Sequence, residues 1–230
     1  SCSLYEILLP LCTAETEYHE VLLIFIRQVR STAATLGAMG GPTQGRSELG
    51  QSVLDASMLL LEICSTVGEE LQSCSNGHLS ANLDEAVWMA VQIAVHYSLL
   101  DEQTCVTTND PTSEIGPEYV QGEGGQVRKR LREVLRQCCV AFPGVVLRLR
   151  ASLRLEVERF TSHASSSWAV AEAWVHATTA VTKTLLINPS YAIDVLELMA
   201  NPALCLPCRP IHKFVVVLVG DLLPPLLLSK

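Results

Sequence analysis

Apolar residues recur at steps of three and four through most of the chain, the spacing that lines one face of an α-helix. Tyr18, Val21, Leu22, Phe25 and Val29 mark a first stripe, after a short apolar segment around Leu4 to Leu11. Leu49, Val53, Ala56, Leu60, Ile63, Val67 and Leu71 hold the same spacing for more than five turns. They predict a long helix, which Asn76-Gly77 closes. Asp84-Glu85 then predicts the start of another, because acids are favoured at a helix N-terminus. Its inner face is Val87, Ala90, Val91, Ala94 and Tyr97 or Ser98, with Trp88 at the edge.

The periodicity is interrupted twice. Gly37, Gly40, Gly41, Pro42 and Gly45 break the chain over residues 37–47, and residues 101–125 are dominated by Asp, Glu, Thr, Pro and Gly. Both stretches are read as flexible loops. After Gly124-Gly125 the stripe Val127, Leu131, Val134, Cys138, Phe142 predicts a helix. Pro143-Gly144 turns the chain, and Val146, Leu149, Leu153, Val157, Phe160 predict its partner. Ser165 to Ser167 supply a cap for a helix carrying Val170, Trp174, Ala177, Val181 and Leu185, which Asn188-Pro189 ends. Ser190 caps a short helix facing inward with Tyr191, Val195, Leu198 and Met199 as far as Asn201-Pro202. A last helix runs from Pro210 with Phe214, Leu218 and Leu222, and Pro224-Pro225 breaks it.

Roughly eight or nine such helices, in units of about 40 to 47 residues where the spacing is clear, match the HEAT class of repeats. The expected fold is all-α, an α-solenoid of HEAT-like antiparallel helix pairs spanning residues 1–230 as one segment of a longer solenoid. A closed helical bundle satisfies the same stripes. Composition agrees with helices packed on helices: 49% of residues are hydrophobic and only 5% aromatic. A mean hydropathy of +0.30 raises the question of a membrane span. The best candidate, residues 214–228, carries Asp221 at its middle and the proline pair near its end, so no membrane insertion is expected. Apolar end faces of an open repeat array account for the hydropathy instead. Nine cysteines, an odd number spread through helical positions such as Cys64 and Cys138, point to a reducing compartment rather than to a disulfide framework.

Two stretches carry a resemblance. Glu118-Tyr119 is followed by VRKRLREVLRQCCVAFPG, then a helix, then SSSWAVAEAWVHATTAVTKTLL, whose core is Trp168, Val170, Glu172 and Ala173. With LLLEICSTVGEELQS upstream and FVVVLVGDLLPPL downstream, their order resembles importin-β-type nuclear transport receptors, the karyopherins, in the branch that holds transportin-SR and importin 13. The resemblance implies a HEAT scaffold that binds cargo proteins, the GTPase Ran in its GTP form and the phenylalanine-glycine repeats of nuclear pore proteins, in cytoplasm and nucleus. It implies no catalysis and no cofactor. Trp168 is expected to fill the wedge between repeats, or to be a large core residue like Trp174. Glu172 is expected to pair locally.

Charge is distributed unevenly. The chain carries a net charge of -8, yet nine of its sixteen basic residues lie between Arg128 and Arg159 against only Glu133, Glu156 and Glu158. Arg128, Arg132 and Arg136 recur every four residues on one helix, and Arg150 and Arg154 on the next, a row suited to an acidic or phosphorylated peptide. A solvated outer face is the alternative. Nucleic acid is not expected, because no aromatic side chains interleave with the arginines as stacking platforms. Cys205-Leu206-Pro207-Cys208 has the spacing of a redox pair or half a zinc site, with His212 as a third ligand and no fourth. His19, His78, His96, His163 and His176 follow no ligand spacing, and no nucleotide-binding or nucleophile motif occurs. The chain is therefore read as a binding protein and not an enzyme; the first rival is a HEAT-repeat interaction scaffold outside nuclear transport, such as an assembly or trafficking adaptor, and the second is a compact helical enzyme domain.

Overall fold

The computed structural model describes residues 24, 27, 31, 48–74, 77–99, 123–162, 168–205 and 209–228. Among these, every regular element is helical and none is a strand. The chain divides into two compact units, residues 1–94 and 95–230. The first stripe, Tyr18 to Val29, lies outside the described residues, as do residues 37–47 and 101–122 of the two expected loops.

In the first unit, α1 (Glu48–Cys74) buries Val53, Leu54, Met58, Leu60, Leu61, Ile63 and Cys64. That face is broader than the single stripe read from the sequence. Ser57 is buried within it, its hydroxyl donating to the Val53 carbonyl at 2.7 Å, so no polar group is stranded. Helix α2 (Gly77–Tyr97) starts well before Asp84-Glu85, the start expected from the acids. The small and polar residues of its first turns hide the start, but Leu83 is fully buried and continues the inner face of Ala86, Val87, Ala90, Val91 and Ala94.

The second unit holds the remaining helices. Helix α3 (Glu123–Ala141) begins three residues earlier than the pattern predicted, taking in Gly124-Gly125. It packs on α4 (Pro143–Ser162), and only Phe142 separates the two. The Phe142 N–H donates to the Cys138 carbonyl at 2.8 Å, and its own carbonyl accepts from Val145 at 3.0 Å. Pro143 opens α4 at the position where a missing N–H costs nothing. The hairpin interior is Leu131, Leu135, Cys138, Phe142, Val146, Leu149 and Leu153, all buried.

One long helix was expected over Val170 to Leu185. The structure splits it into α5 (Trp168–Thr179) and α6 (Thr182–Ile187). The cause is local. The Thr178 hydroxyl donates back to the Trp174 carbonyl at 2.8 Å and the Thr179 hydroxyl to that of His176 at 2.7 Å. The amides of Ala180 and Val181 then bond only three residues back, to Ala177 and Thr178, which tightens the turn. Helix α5 is buried over almost its whole circumference because α3, α4 and α8 all pack against it. Alanines at 169, 171, 173 and 177 let those neighbours approach.

Helix α7 (Pro189–Met199) is capped by Asn188 and not by Ser190. The Asn188 side chain accepts from the Ser190 amide at 3.2 Å and from its hydroxyl at 2.8 Å. Asn188→Ala is expected to cost about 1 kcal/mol, read as a lower urea midpoint at unchanged slope. A 3₁₀ turn (Pro202–Cys205) leads to α8 (Arg209–Leu228), which buries Ile211, Val215, Leu218 and Leu222. Contrary to expectation, Pro224-Pro225 does not break it. The carbonyls that lose a partner belong to Gly220 and Asp221, and both residues are exposed, so water can serve them.

Candidate functional site

Arg128 lies on the inner face of α3, in line with Leu131 and Leu135, and is only 7% exposed. Glu172 of α5 is 0% exposed. The two form a two-pronged pair, Nη1 to Oε1 at 2.7 Å and Nη2 to Oε2 at 2.5 Å. The third guanidinium nitrogen, Nε, donates to the Ser98 carbonyl just past the end of α2 at 2.6 Å. Below the guanidinium lies the Phe214 ring of α8, 6.0 Å from its centroid, within reach of a cation–π attraction. One side chain thus ties together Ser98, α5 and α8. A buried charge is tolerable when it is paired and hydrogen-bonded, and here each guanidinium nitrogen donates one hydrogen bond, two of them to the opposite charge.

One turn beyond Glu172, His176 is 6% exposed and stacks edge-on against Phe214, centroids 4.9 Å apart. Its Nδ1 has no hydrogen-bond partner. Burial, with the Arg128 and Arg132 charges nearby, pushes its pKa from 6.5 down to about 3. The folded value lies below the unfolded one, so between those values the unfolded chain holds the extra proton. The stability that neutral His176 permits is complete above pH 6.5 and is lost as pH falls toward 3. His176→Phe, which keeps the ring contact and cannot titrate, is expected to show a flatter fall in urea midpoint from pH 7 to pH 4 than the unmodified chain.

The five arginines singled out by the sequence do not act as one row. A step of four residues advances about 40° around a helix, so a row that starts inside at Arg128 has rotated outward by Arg132 and Arg136, which are both exposed. Arg128 is thereby removed from any surface site. Arg150 is also committed within the fold. It bonds Asp194 of α7 at 2.8 Å, and its guanidinium carbon sits 4.3 Å from the Tyr191 ring centroid. Arg132, Arg136 and Arg154 are exposed and form no ion pair with any described residue.

Glu172 pairs across 44 residues, where a local partner was expected. Trp168 is half-buried at the first position of α5, and Trp174 is buried. The Cys205–Cys208 motif cannot be placed, because the side chains of Cys205, Cys208 and His212 lie outside the described residues. Among the described residues no group of three His, Cys, Asp or Glu side chains could hold a metal ion. Cys64, Cys138 and Cys139 are buried, and burial pushes the Cys64 and Cys139 thiols up to about 12, far from the thiolate a reactive cysteine needs. No described helix is long and apolar enough to cross a membrane. Ser98 and Phe214 were read from the sequence only as core-facing and His176 only as a histidine without ligand spacing, so none was assigned to the site. The available signal was Glu172, a lone carboxylate within the apolar run WAVAEAWV, since a buried acid requires a partner.

No family model, curated protein or solved structure matches the chain.

Proposed function

We propose that this chain is a protein-binding segment of an α-solenoid built of HEAT-like helix pairs, and that the scaffold serves nuclear transport. The observation that carries the reading is the pairing of helices in the second unit. Helix α3 packs on α4, α6 of the bent α5–α6 packs on α7, and α8 follows. Contacts run from α3 to α5, from α4 to α7 and from α5 to α8, each element packing on its neighbours in the series. A stacked array packs in this way.

The two stretches that carry the karyopherin resemblance also meet in space, through Arg128 of the first and Glu172 of the second. That supports reading them as parts of one packing unit. On this proposal the partners are cargo proteins, Ran-GTP and the phenylalanine-glycine repeats of nuclear pore proteins, and the chain works in cytoplasm and nucleus. Affinity comes from many small contacts along the array, with no chemical step. The test is capture from cell extract on the immobilised chain, with and without Ran locked in its GTP form. Capture of Ran with displacement of a set of proteins is the expected result for an import receptor, and co-recruitment of a set for an export receptor. A chain that captures no Ran is a helical scaffold outside nuclear transport.

A further inference from the structure

We infer that the outer face of α3 is a docking site for a short acidic peptide that ends in an apolar side chain. Lys129, Arg132, Arg136 and Val140 fall within about 80° of one another around the helix and span about 16 Å along it. All four are exposed, and none of the three cations has an ion-pair partner among the described residues. Elsewhere in this unit the structure uses its arginines, as Arg128 and Arg150 show, so an unpaired row is not the rule. Val140 stands 64% exposed at the end of the row, one turn past Arg136.

Charge complementarity selects an anion, and the length of the row matches about five residues of extended peptide. The face offers a guanidinium fork for a carboxylate at Arg132 and at Arg136, followed by an apolar contact at Val140. A nucleic acid fits less well. The only aromatic residues of α3, α4 and the link between them are Phe142, which is buried, and Phe160, which is half-buried, so no base has a ring to stack on.

The inference depends on the protein-binding reading only in taking a peptide as the occupant, and it does not require Ran. The probe is a fluorescein-labelled peptide of five glutamates followed by one leucine, titrated by anisotropy against the full chain. Saturable binding is expected, weakened roughly tenfold or more by Arg136→Glu or Arg132→Glu. Lys183→Glu, an equal charge change at an exposed position on α6 and outside the row, leaves affinity within about twofold, as expected where contacts in the row, and not screened net charge, carry the binding. Arg136→Gln and Val140→Ser test the same contacts with milder changes and should each weaken binding measurably while the melting temperature stays unchanged. Absence of binding overturns the inference. So does equal weakening by Lys183→Glu, or tighter binding through the same arginines of a single-stranded oligonucleotide of equal charge. Peptide binding and Ran capture are read in separate experiments, so the two readings fail separately.

Discussion

Glu172→Ala is expected to destabilise the second unit by about 3–5 kcal/mol, the cost of leaving one member of a buried ion pair without its partner. The pair itself need not be worth that much. Both charges had to leave water, and their attraction repays a desolvation cost of similar size. The loss arises because Arg128 keeps its charge in a site that is 7% exposed, with only the Ser98 carbonyl and the Phe214 face for company. Replacing both members, as Arg128→Met with Glu172→Leu, is expected to recover most of the loss. Urea titrations of the two single variants and the double variant close the cycle. A double variant no better than the singles would show that the ion pair, and not the burial of charge, carries the stability.

Phe142→Ala is the second large effect, about 3–5 kcal/mol for deleting a fully buried ring. Phe142 is the whole connection between α3 and α4, and its side chain is 1% exposed. Its backbone is held on both sides, by Cys138 and by Val145, so the link cannot collapse into the space the ring leaves. Phe142→Leu, which conserves most of the volume, should cost well under half as much. Circular dichroism during denaturation reads both, and similar losses for the two variants would argue against a rigid cavity.

The sequence disclosed helices more readily than their ends or their partners. Stripes such as Leu131, Val134 and Cys138 are legible because a step of three or four is sensed within one helix. The break at Ala180 was not legible, because it depends on which way the Thr178 and Thr179 hydroxyls turn. Helix α2 showed its centre but not its start, since Gly77 to Asn82 offers few large apolar residues. The arginine row was legible as composition and misleading as geometry. Four-residue spacing alone does not say where a row meets the core, and that register places Arg128 inside and Arg136 outside. The clamp formed by Arg128 and Glu172 was legible on one side only, through the lone carboxylate of Glu172, and its partner was hidden. Its members are separated by 44 residues, and no periodicity carries information over that distance.

That separation has a kinetic consequence. The hairpin around Phe142 closes through contacts a few residues apart, whereas the Arg128–Glu172 bond forms only after a long loop has been closed against its entropy. The first is expected to form in the transition state for folding and the second after it. Phe142→Ala should therefore slow folding, while Glu172→Ala should leave the folding rate nearly unchanged and speed unfolding. The clamp in that case governs how long a folded molecule survives, and the hairpin governs how quickly one is made.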